Sequence, residues 1–155
     1  MNARERLARA QEELARALGT GAPVPAGFDA ERVRAAGRAL MDKRRRLVER
    51  AWPSLALALG ADFTSRFESW ATHHPMTVEP SPLADGRRFA ESLRVAGRLP
   101  SSMTAMLQDF DLRWRLTDEG EPLPRRGIAM SLRRVGESRR PRLAVKLFGG
   151  RVWLW

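Results

Sequence analysis

The chain opens with Ala3, Leu7, Ala10, Leu14 and Leu18 at three- and four-residue steps among charged residues, the period of one helix face. Asn2 stands at the expected N-cap, Glu5 follows three residues later as in a capping box, and Gly19 marks the expected stop. Gly and Pro in "GTGAPVPAGF" interrupt the pattern and read as a connector inside one domain. Asp29 then caps a second helix with Val33, Gly37, Leu40, Met41, Leu47 and Val48 as its inward stripe and Arg34, Arg38, Arg45 and Glu49 opposite.

Trp52-Pro53 ends that helix, because the proline ring disfavours a helical conformation in the residue before it. Pro53 itself suits the first position of a new helix, predicted over 53–59 with Gly60 as its stop. Asp62 opens another, with Phe63, Phe67 and Trp70 on one side. Residues 72–86 read as a loop, 85–97 as a helix carrying Phe89, Leu93 and Ala96, and Ser101 or Ser102 caps a last helix with Met103, Met106, Leu107 and Phe110, reaching toward Trp114.

After "TDEGEPLPRRG" the period falls from 3.6 to 2. Ile128, Met130 and Leu132 alternate with Ala129, Ser131 and Arg133, and Leu143, Val145 and Leu147 with Ala144, Lys146 and Phe148. Val152 and Leu154 alternate with Arg151, Trp153 and Trp155, and Gly149-Gly150 predicts a two-residue hairpin connection. The expected fold is α+β: a body of five or six helices over 1–118, followed by a small antiparallel sheet over 119–155, the two packed as one unit.

At 155 residues one domain with a real core is expected. The chain has no apolar run long enough to span a bilayer, and its start is too charged for a signal peptide, so a cytoplasmic protein is expected. Without cysteine there is no disulfide framework, thiolate metal site or cysteine nucleophile. The net charge of +10 points to anionic partners, yet Lys43 and Lys146 are the only lysines, so part of the arginine count reads as composition bias. The excess concentrates in the last 35 residues, which sum to +7.

No constellation asks for turnover. His73 and His74 are adjacent and cannot both address one metal from a helix, and Asp109 and Asp111 diverge on a helical wheel. No glycine-rich phosphate loop is present. Catalytic residues, metal ligands and a cofactor are therefore not expected in this chain. Trp52, Phe63, Phe67, Trp70 and Phe89 read as core. Trp153 and Trp155 must be covered either by the helical body or by a partner. The arginine clusters around the strands could border a sheet edge that takes an extended acidic peptide, or follow a phosphate backbone.

The succession Ala51-Trp52-Pro53, Leu59-Gly60, Phe63, Phe67, Trp70-Ala71, Pro75, Asp85-Gly86, Phe89, Leu93, Leu99-Pro100 and Trp114-Arg115 resembles the helical domain of the partner proteins of methanobactin-type multinuclear non-haem iron oxidases. That domain was first catalogued as DNA-binding-like. "AQEELARAL", "PVPAGFDAERV" and "RLAVKLFGGRVW" are similar to an actinobacterial version of the partner, found free or fused behind the oxidase. The resemblance implies a non-catalytic accessory protein. It would dock on a TIM-barrel oxidase, whose own residues hold the iron, and bind the leader of a ribosomally made precursor peptide.

On this reading the helical body supports the oxidase interface, with Trp52, Trp70, His74, Trp153 and Trp155 as candidate interface residues. The sheet receives the leader, with Arg125, Arg126, Arg133, Arg139, Arg140, Arg142, Val145 and Arg151 as candidate peptide contacts. The alternative is a nucleic-acid-binding regulator, suggested by the net charge and the "KRRR" run.

Overall fold

The computed structural model describes residues 2–75, 81–117, 120–135, 140–147 and 152–154, without the side chains of 133–135, 140, 142 and 154. Helix α1 (Ala3–Thr20) starts in the expected capping box: the Glu5 amide donates to the Asn2 side chain, and the Asn2 amide to Glu5. It runs past Gly19 and stops at Gly21, whose φ of 72° is the left-handed conformation that suits a helix end. Gly19 is thus inside the helix.

Helix α2 (Ala30–Ala51) is capped by Asp29, which accepts from the amides of Glu31 and Arg32. Val48 is buried as expected, but the inward stripe departs from the expected one at two places: Leu40 is exposed and Arg44 is buried. Gly37 lets α1 approach closely, because a Cβ there would stand 3.1 Å from the Leu18 carbonyl oxygen. The break at Trp52-Pro53 falls where expected, followed by α3 (Pro53–Leu59), Gly60 and α4 (Asp62–Thr72). Helix α5 (Pro82–Val95) begins three residues before Asp85, since Pro82 serves as its first residue. Helix α6 (Met103–Arg113) stops before Trp114, which is already extended.

The core lies among these helices. Phe67 and Phe89 meet edge to face with centroids 5.3 Å apart, Phe63 and Trp70 pack around them, and Trp52 lies 5.0 Å from Phe110. Leu55 and Leu107 belong to the same buried cluster.

Two small antiparallel sheets follow, giving the α+β arrangement. The first pairs β1 (Trp114–Leu116) with β2 (Pro122–Pro124), a ribbon the period of the sequence does not announce. The second has the order β3 (Ala129–Val135), β4 (Arg140–Lys146), β5 (Val152–Leu154). The last two strands form an antiparallel pair as expected; Gly149-Gly150 lies outside the described residues.

Candidate functional site

The register of the three-stranded sheet decides what each face offers, because directly opposed residues share a face. Ser131 faces Ala144, and Ala129 faces Lys146. This side turns to the helical body: Ala144 and Lys146 are buried, and Gln108 of α6 donates through Nε2 to the Ser131 carbonyl at 2.9 Å. The Lys146 ammonium donates to the Arg125 carbonyl, which gives the buried charge an acceptor. Alanine and serine on this side let α6 lie close to the strands.

The larger apolar residues consequently fall on the other face. Met130 is opposed to Val145, Val145 to Trp153, and Leu132 to Leu143. Met130 and Leu132 are each 70% exposed and Trp153 is 50% exposed, while Leu143 and Val145 are half-buried. Val145, a candidate peptide contact, sits in the middle of this face.

The first sheet offers no comparable edge on β2. The Arg125 amide donates to the Arg113 carbonyl and the Thr117 amide to the Glu121 carbonyl. Alternation then turns the backbone of Pro122 and Pro124 outward, where neither has an N–H to give an added strand.

The remaining candidates separate. Arg125 and Arg126 are exposed just ahead of β3. Arg133 and Arg142 are register partners, and Arg140 opposes Val135. Arg139, Arg151 and Trp155 lie outside the described residues. His74 is exposed and stacks on Trp70, with centroids 4.8 Å apart. Two candidate interface residues need correction: Trp52 is 4% exposed, with its indole donating to the Leu83 carbonyl at 3.0 Å, and Trp70 is packed among Phe67 and Phe89. Burial leaves both as core supports rather than contact residues.

The "KRRR" run is largely neutralised by carboxylates. Arg44 is buried against Asp85, Arg45 pairs with Asp42 and Glu49, and Arg46 pairs with Asp42. The hydrogen bond from Arg45 holds the Asp42 carboxyl below its ordinary range. Asp109 pairs with Arg113 and Asp111 with Arg87, so the two aspartates do not converge. Among the described residues no group of histidines and carboxylates could hold a metal, and no helix is long and apolar enough to cross a membrane.

A second feature was dispersed in the sequence. Trp70, Arg87, Arg88, Glu91, Phe110, Asp111, Trp114 and Arg115 contribute to the lining of a cleft of about 490 Å³ between α4, α5, α6 and β1. Arg87 is mostly buried and bridges Asp111, at 2.7 and 2.9 Å, and Glu91, at 3.0 Å. Burial disfavours its charge, but the carboxylates outweigh that and raise its pKa. Glu91 is held down to about 2, first by its hydrogen bond from Arg94 and, against the opposing effect of burial, by Arg87.

The fold is thus an α+β module that carries an exposed apolar sheet face beside scattered arginines. The chain belongs to the family described as SCO6045-like, C-terminal domain, which matches residues 8–95. A protein of Streptomyces avermitilis named UPF0276 protein is 39% identical over 133 residues, which cover 86% of this chain and 26% of that protein. The chain therefore spans about a quarter of that relative's length. No solved structure matches.

Proposed function

We propose that the chain is a non-catalytic partner subunit. It docks on a TIM-barrel multinuclear iron oxidase in the cytoplasm and receives the leader of a ribosomally made precursor peptide on its C-terminal sheet. The observation that carries this reading is the apolar sheet face on which Met130 and Leu132 are largely exposed beside Val145 and Trp153, on a chain with Arg125 and Arg126 exposed nearby. Such a face favours contact with another polypeptide, and the basic charge favours an acidic one. The Streptomyces relative supports the same reading, because there the matching segment is a minor part of a much longer polypeptide. The oxidase supplies the iron; this chain supplies binding and placement of the peptide.

The nucleic-acid alternative is weaker on the same evidence of charge. Arg44, Arg45 and Arg46 are each tied to carboxylates and present no free stripe to a groove.

Co-expression with a tagged multinuclear iron oxidase from the same genome, followed by affinity capture and size-exclusion chromatography, tests the proposal. Co-elution as a stable heterodimer that retains the precursor is the expected result. Separate elution, with this chain shifting mixed-sequence DNA at moderate salt, would replace it with the regulator.

A further inference from the structure

The cleft beside Arg87 does not end at β1. A second cleft of about 510 Å³ is lined by Arg115, Leu123, Pro124, Arg125, Arg126, Ile128 and Ala129, and shares Arg115 and Arg125 with the first. Together they make one groove from the Trp70-His74 end of α4, across β1, to the first residues of β3. Its two ends are separated in sequence by more than fifty residues and are joined only by the fold.

Charge along the groove is uneven in a way that identifies a ligand. Arg87 is committed to Asp111 and Glu91 and belongs to the wall. Arg88, Arg115 and Arg126 are exposed, and among the described residues no carboxylate is placed against them. Arg125 spends its Nε–H on the Trp114 carbonyl, at 3.2 Å, and that bond holds the side chain over the groove. Arg88 is held by shape: Gly120, at φ 89°, lacks the Cβ that would stand 2.7 Å from Nη2 of Arg88. The apolar floor comes from Trp70, Phe110, Trp114 and Leu116 in the first cleft, and from Leu123, Pro124 and Ile128 in the second.

We propose that this groove receives an extended acidic peptide segment. Its carboxylates pair with Arg88, Arg115, Arg125 and Arg126, and an apolar side chain seats against Trp114 and Leu116. Alternate residues of an extended chain lie about 7 Å apart on one side, so acidic residues at alternate positions can meet successive arginines. A nucleic-acid strand fits less well. Stacking bases need exposed ring faces, whereas Trp70 and Phe110 are each only 9% exposed. The groove opens at Ile128 and Ala129, so a segment lying in it continues onto β3. This inference rests on the peptide-binding role proposed above and names the path and chemistry of the bound segment.

Fluorescence anisotropy tests it with a short labelled peptide that has glutamate at alternate positions around a central phenylalanine. Its glutamine counterpart and a single-stranded oligothymidine serve as comparisons. The chain is expected to bind the acidic peptide, and to bind the glutamine peptide at least about tenfold more weakly. The double variant Arg88→Glu/Arg115→Glu should lose the acidic peptide to a similar degree while its thermal transition is unchanged. Equal binding by this variant, no binding of the acidic probe by the unaltered chain, or preference for oligothymidine each overturns the groove. If the groove fails but Met130→Glu/Leu132→Glu still abolishes precursor binding, the sheet reading stands. If the groove binds the probe but the chain never co-elutes with the oxidase or its precursor, the partner reading fails instead.

Discussion

Arg44 and Asp85, forty-one residues apart in the chain, form a bidentate ion pair inside the helical body, with nitrogen–oxygen distances of 2.6 and 2.8 Å and side chains only 8% and 3% exposed. The same guanidinium donates to the carbonyls of Ala71 and His74 and lies 5.3 Å from the Trp70 ring centroid. One residue of the basic run therefore fastens α2 to α5 and to the end of α4. Removing one partner leaves a buried charge uncompensated. Asp85→Ala should cost about 3–5 kcal/mol in chemical denaturation. A loss under about 1 kcal/mol would show that the pair does not hold these helices together.

Gly86 predicts a loss where helix propensity predicts a gain. Replacing glycine by alanine inside a helix ordinarily gains about 1 kcal/mol. Here a methyl group would overlap the indole of Trp52, which is fixed by its bond to Leu83 and by Phe110. Gly86→Ala should be destabilised by about 1–3 kcal/mol, measured by the denaturation midpoint.

Glu91 gives the acid limb of the stability curve a specific contributor. Its carboxyl titrates near 2 in the folded chain against 4.5 ordinarily, because Arg94 and Arg87 donate to the ionised form. A depressed folded value means the stabilisation is complete above the unfolded value and is lost as pH falls toward the folded one. Thermal denaturation should therefore show a decline from about pH 5 to about pH 2 that is shallower in Glu91→Gln. The variant should also melt lower than the parent at neutral pH. Identical slopes in the two proteins would contradict this assignment.

The exposed sheet face separates stability from binding. Met130 and Leu132 each keep most of their surface in solvent, so Met130→Glu/Leu132→Glu should change stability by no more than about 0.5 kcal/mol per site. Binding of the precursor should be lost in the same variant.

The helical body was legible at Trp52-Pro53 and Gly60, which divide α2, α3 and α4 as the sequence predicts, but not at Gly19, which lies inside α1, or at Pro82, which opens α5. Arg44 was not, because a charged residue in an inward stripe looks like surface until Asp85 arrives from another helix. Period-2 alternation identified the strands but not their orientation. The small face of Ala129, Ser131 and Ala144 lies against α6, and the large apolar face is left to solvent. The β1–β2 ribbon escaped notice because three-residue strands bounded by proline carry almost no periodic signal. The groove escaped because its arginines, at positions 88, 115, 125 and 126, meet only once α5 is packed beside that ribbon.

Amide hydrogen exchange of the chain, alone and with its precursor peptide bound, tests the central claim most directly. Exchange should slow in β3 or β5, the two lateral strands of the exposed sheet, with little change in α1 and α3. Protection confined to the helical body, with the amides of β3 and β5 exchanging as in the free chain, would contradict it.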